Sequence, residues 1–90
     1  MTAHRSVEVV NKRGLHARAS AKFVKLASDF DAEVTVSREG QEVDARSIMG
    51  LMMLGAGPGS VLDIAAEGAE AEAALTALCE LVQSGFDEDL

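Results

Sequence analysis

In the stretch Gly14-Leu15-His16-Ala17-Arg18-Ala19-Ser20, a histidine stands where an amphipathic helix should begin. Helix starts favour Ser, Thr, Asp or Asn, whose side-chain oxygens accept from backbone N–H groups that lack an intrahelical partner. An imidazole is a poor substitute, and Leu15 is no cap at all. If the helix starts here, its free amides and the positive end of its dipole converge beside His16. That is a ready site for an anion. Arg13 and Arg18 lie close by in sequence. A positive setting favours the neutral, nucleophilic imidazole. Such a nitrogen can attack phosphorus and hold a phosphoryl group covalently. The dianion would then satisfy the helix amides with help from Arg18. These residues point to a phosphocarrying histidine. A bland reading stands beside it, since a single histidine at a loop–helix junction is often a surface residue with no task. His4, near the terminus and without such neighbours, takes the bland reading.

A second feature is Ser47-Ile48-Met49-Gly50-Leu51-Met52-Met53-Leu54. At about 100° per residue the apolar side chains surround this helix completely. A small two-layer domain buries one side only. Ile48, Met49 and Met52 are therefore expected at the surface, as a docking patch for several partners. Ser47 is a good N-cap. A phosphate on it would be stabilised by the helix end and would add negative charge beside the patch.

Around these features the elements follow from periodicity. Ser6–Val10 reads as a strand. Leu15, Ala19, Phe23, Leu26 or Ala27, and Phe30 form a helical stripe, with the helix from about His16 to Ser28. Ala32–Ser37 alternates as a strand with one wet face. Residues 38–41 turn, with Gly40 available for positive φ, into a strand over Glu42–Arg46. The helix from Ser47 stops at Gly55. Ala56-Gly57-Pro58-Gly59 is a loop. Val61–Ala66, the most apolar strand, is expected inside the sheet. A helix from about Ala69 to Ser84 carries a stripe ending at Phe86. The acidic residues 87–90 are expected to fray. The order β-α-β-β-α-β-α with alternating strands implies an α+β domain, one sheet with helices on one face.

Composition bounds the function. Ninety residues suit a single domain spanning 1–90, with a core of Ala, Val, Leu, Ile and Met, since the only aromatics are three Phe. The net charge of −7 argues against nucleic acid and against an anionic membrane surface. Yet Arg5, Lys12, Arg13, Arg18, Lys22 and Lys25 all precede residue 26, and no Lys or Arg follows Gly68. That asymmetry suits an anionic group at the basic end. The one cysteine, Cys79, lies in a helical apolar pattern and reads as a buried small hydrophobe. It excludes a Cys-x-x-Cys metal site, and no metal or cofactor is expected. A sequence without a signal peptide or a long apolar run suits the cytoplasm. No paired acid/base set suggests an enzyme with its own substrate pocket. The competing reading is a ferredoxin-like or amino-acid-sensing module in which His16 is incidental.

Gly14-Leu15-His16-Ala17-Arg18 and Ser47-Ile48-Met49-Gly50-Leu51-Met52-Met53-Leu54-Gly55, with the element order, resemble HPr, the histidine-containing phosphocarrier family of the bacterial phosphotransferase system. The resemblance implies an open-faced β-sandwich, with a four-stranded antiparallel sheet and three helices on one face. It implies His16 as the residue phosphorylated on Nδ1 by phosphorylated enzyme I, which draws on phosphoenolpyruvate. Arg18 matches the active-site arginine. Ser47 matches the serine modified by HPr kinase/phosphorylase in some bacteria. Ile48, Met49 and Met52 match the docking positions, and Ala17 and Ser20 are expected to join them. An enzyme IIA would accept the phosphoryl group, and a monomer is expected. Ala19-Ser20 stands where the family usually has Pro-Ala, so the first helical turn loses the fixed φ of proline. The Met-rich stretch through Gly59 looks more like the nitrogen-related branch than the sugar-transport branch.

Overall fold

The computed structural model describes residues 2–88. Seven elements follow in the expected order: β1 (Thr2–Glu8), α1 (Ala17–Ala27), β2 (Glu33–Arg38), β3 (Gln41–Asp44), α2 (Ile48–Met53), β4 (Val61–Glu67) and α3 (Ala71–Gln83). The four strands form one antiparallel sheet in the order β1-β4-β2-β3. β4 is interior, as its apolar run required.

Alternation decides which face is covered. Val7, Val34, Val36, Leu62, Ile64 and Ala66 point to the helices and are buried. His4, Ala65 and Thr35 share one register row on the opposite face, and Ser6, Asp63 and Ser37 the next. There Ser6 donates to the Asp63 carboxylate. α3 lies across β1 and β4, and α1 packs between α2 and α3. Phe23, Leu51, Leu75, Leu78, Val82 and Phe86 complete the core.

Several boundaries differ from the sequence expectation. β1 begins at Thr2 rather than Ser6 and ends at Glu8 rather than Val10, because its partner sets its length. Thr2 pairs with Glu67 and Glu8 with Val61. Val9 lies beyond the strand but stays buried, exchanging backbone hydrogen bonds with Gly59 and Ser60 at 2.8 Å. In the β2–β3 hairpin both Glu39 (φ 50°) and Gly40 (φ 83°) adopt positive φ, the pattern of a type I′ turn. The largest departure follows α3. Phe86 does not extend the helical stripe. The helix stops at Gln83, and Gly85 takes the left-handed conformation with φ 70°. The Gly85 N–H donates to the Val82 carbonyl and the Phe86 N–H to that of Leu81, a Schellman turn. That turn drives Phe86 into the core and sends the chain back toward the start of α1.

Candidate functional site

The loop from β1 to α1 is locked before it reaches His16. Gly14 has φ 60°, and a Cβ there would lie 2.1 Å from the Ala56 carbonyl oxygen. The next N–H, of Leu15, donates to that same carbonyl at 3.0 Å. Glycine is required twice over, by conformation and by contact. The effect is to bring the end of α2 against the His16 loop. Asn11, fully buried, ties the loop to itself by donating from Nδ2 to the Gly14 carbonyl at 3.0 Å.

His16 is the N-cap of α1, with φ −73° and ψ 178°. Its carbonyl accepts the first helical bond, from the Ser20 N–H at 2.9 Å. Its side chain makes no capping bond, and the first turn carries no acidic residue. The amides of Ala17, Arg18 and Ala19 therefore end the helix without a side-chain partner from the cap. The imidazole is largely covered, with 15% of its side chain exposed, and its Nε2 faces a carboxylate oxygen of Glu88. The other oxygen of that carboxylate accepts from Asn11 Nδ2 at 2.9 Å. The Asn11 amide, then His16, hold the Glu88 carboxyl below the usual range, with a small contribution from Arg13. Lys12, Arg13, Arg18 and Lys22 line a shallow groove here with Asp87 and Glu88.

The remaining expected positions separate. Ala17 and Arg18 are exposed. Ser20 is fully buried and donates to the Leu15 carbonyl at 3.1 Å, which removes it from the expected docking set. Position 20 lies on the core side of α1, one turn beyond His16, so its hydroxyl closes the helix start instead of meeting a partner. Ala19, where proline was the family habit, is also fully buried, and α1 begins at Ala17 without it. Ser47 caps α2 by accepting from the Gly50 N–H at 2.9 Å. A Cβ on Gly50 would crowd that hydroxyl at 2.9 Å, so the glycine makes room for the cap. Ile48 and Met52 are about 40% exposed and Met49 68%, while Leu51 and Leu54 are buried. Met53, at 67%, belongs to the same apolar surface and was not singled out by the sequence.

Sequence reasoning also missed Asn11 and Glu88, and expected the segment after α3 to fray. Residues 87 and 88 are instead held in place, and residues 89 and 90 lie outside the described part. A usable signal was the Gly85-Phe86 pair, a helix-stopping glycine followed by an apolar residue. Cys79 is buried, and burial pushes its thiol up. Among the described residues, no group of three or more His, Cys, Asp or Glu side chains is placed to hold a metal. No described helix is long and apolar enough to cross a membrane.

Known proteins share both the pattern and the geometry. The family model described as PTS HPr component phosphorylation site matches residues 3–84. The phosphocarrier protein HPr of Cupriavidus necator is 48% identical over 84 residues, covering 93% of this chain and 94% of that protein. Phosphocarrier protein NPr of Escherichia coli K12, of the nitrogen-related branch, is 43% identical over 90 residues, covering 99% and 100%. The crystal structure of HPr from Thermoanaerobacter tengcongensis superposes with a TM-score of 0.93 at 43% identity, covering 98% and 99%. With an uncapped helix start behind its histidine and this likeness over nearly the whole chain, the chain belongs to the HPr family of phosphocarrier proteins of the phosphotransferase system.

Proposed function

We propose that His16 carries a phosphoryl group on Nδ1. Phosphorylated enzyme I, charged from phosphoenolpyruvate, would supply it, and an enzyme IIA-type acceptor would receive it. The chain acts as a cytoplasmic monomer, one domain over residues 1–90, and as a carrier rather than a catalyst. One observation carries this reading. His16 occupies the cap position of α1 without capping it, so a dianion on the ring meets the first-turn amides with Arg18 beside them. Arg18 offers charge-assisted hydrogen bonds to the phosphoryl oxygens. Ala17 and the exposed Ile48, Met49, Met52 and Met53 supply an adjoining surface for donor and acceptor. The Met-rich α2 favours an acceptor of the nitrogen-related branch, while the similarity to HPr and to NPr does not separate the two branches.

Incubation with phosphoenolpyruvate and enzyme I should add one acid-labile phosphoryl group, and His16→Ala should abolish it. Persistent labelling in the alanine variant would end the proposal. The competing ferredoxin-like reading draws no support from the sheet, because that fold puts its first and third strands inside, whereas here β1 and β3 are the edges.

We further propose that Ser47 is a regulatory phosphorylation site for an HPr kinase/phosphorylase. Its half-buried hydroxyl lies at the start of α2, next to the apolar patch. Charge placed there opposes docking of an acidic or apolar partner face. Ser47→Asp should weaken enzyme I binding about tenfold, a change of about 1.4 kcal/mol, with an unchanged circular dichroism spectrum. Equal affinity by calorimetry would remove the regulatory role.

A further inference from the structure

The segment after α3 is built as a strap. Phe86 plugs the core with no exposed surface, and its carbonyl accepts from Lys22 Nζ on α1 at 2.8 Å. Gly85, Phe86 and Asp87 all take positive φ, at 70°, 58° and 60°. Non-glycine residues hold that conformation only where their surroundings impose it. The product of this bent, anchored path is the placement of Glu88. One of its carboxylate oxygens meets His16 Nε2, and the other meets the buried Asn11 amide. Asn11 is itself fixed by the Gly14 carbonyl. The carboxylate thus has both oxygens aligned, one by a rigid side chain and one by the imidazole.

We propose that Glu88 is a positioning residue for His16: it accepts the Nε2–H, so the lone pair of the ring stands on Nδ1. An ionised carboxylate has no proton to give, so the proton shared with Nε2 belongs to the imidazole. A hydrogen bond at one ring nitrogen decides the state of the other. The Glu88 carboxylate meets His16 directly, and the other charged groups around that carboxylate are Lys12 and Arg13 from the β1–α1 loop, Arg18 and Lys22 from α1, and Asp87 from the strap. α2 and the loop after it bring none, since residues 48–60 contain no charged side chain.

Its consequence for phosphoryl transfer rests on the function proposed above. A bond forms from Nδ1 to phosphorus, and the bond from phosphorus to the donor breaks, its electron pair leaving with the donor. Nε2 keeps its proton, so the ring becomes cationic. Glu88 faces that new positive charge from the edge opposite the phosphoryl group. Transfer onward reverses the steps. The phosphorus–nitrogen bond breaks more readily from the cationic ring, because neutral imidazole is the better leaving group. Glu88 therefore keeps the phosphorylated form ready for transfer at neutral pH.

The test has two arms, and the first needs no phosphoryl donor. In protein labelled with 15N-histidine, the native chain should show a protonated Nε2, a bare Nδ1 and a low-field proton resonance on Nε2. Glu88→Ala should lose that resonance and gain a measurable fraction of the Nδ1–H tautomer, because nothing then confines the proton to Nε2. Deletion of residues 88–90 should do the same, whereas deletion of 89–90 should look native. In the second arm, phosphoryl-His16 is prepared chemically with phosphoramidate and its hydrolysis is followed against pH. Glu88→Gln should move the inflection down by about one pH unit, the size expected for removing an opposite charge at contact distance. A proton on Nδ1 in the native chain would overturn the assignment. So would ring spectra and hydrolysis profiles unchanged in all three Glu88 variants. Should enzyme I fail to label His16, the transfer reading falls while the tautomer result still decides the role of Glu88.

Discussion

Gly14 is the residue whose replacement the structure punishes most directly. Gly14→Ala forces an L-residue to φ 60° and drives its Cβ to 2.1 Å from a carbonyl oxygen. The backbone conformation alone costs about 1–3 kcal/mol, and the collision adds to it. The urea midpoint should fall accordingly, with the m-value unchanged. Glu88 gives a residue-scale pH dependence. Its folded pKa is depressed, so its contribution to stability is present above the ordinary glutamate range and is lost as pH falls through the lowered value. The Nε2 proton resonance of His16 should therefore weaken on acidification, in step with the Glu88 side-chain carbon shift. Both residues bear on His16, and they were unequally legible. The missing cap exposed His16 because helix starts obey local rules. Glu88 lies 72 residues away, and no local rule connects the two.

Among the elements, α2 has the sharpest contrast between faces. Leu51 is fully buried and Met49 is 68% exposed, two residues apart. Leu51→Ala should cost about 2–5 kcal/mol, and Met49→Ala about 0.5 kcal/mol or less. Chemical denaturation of the two variants checks the pair. If Met49→Ala also weakens enzyme I binding, the patch is a docking surface rather than spare apolar area. The two-sided fate of α2 was readable, because an all-apolar short helix cannot be covered completely in a chain of this size. The limits of β1 were not, since Thr2–Arg5 carries no alternating apolar signal and is recruited by β4. The end of α3 was misread for a related reason. Phe86 keeps helical spacing with Val82 but reaches the core through a turn instead.

At the scale of the molecule, the sheet order could not be read from periodicity. Alternation tells which face of each strand is wet, not which strands are neighbours. β1 joining β4, rather than β2, depends on the crossovers made by α1 and α3. The charge distribution, by contrast, was legible and has a spatial outcome: the early basic residues Lys12, Arg13, Arg18 and Lys22 surround one groove of an acidic protein. The Cα radius of gyration is 11.5 Å. Small-angle scattering from the proposed monomer should give a value near 12 Å, independent of concentration. A larger value that grows with concentration would show self-association.

The path of the chain after α3 also settles a matter of protein engineering. Any peptide fused after Leu90 starts two residues from Glu88, whose carboxylate meets the imidazole. A purification handle at that end loads the segment that carries the carboxylate neighbour of the histidine. Thr2, about 20 Å up the strand from Glu8 at ordinary β-rise, leads away from the site and is the safer attachment point.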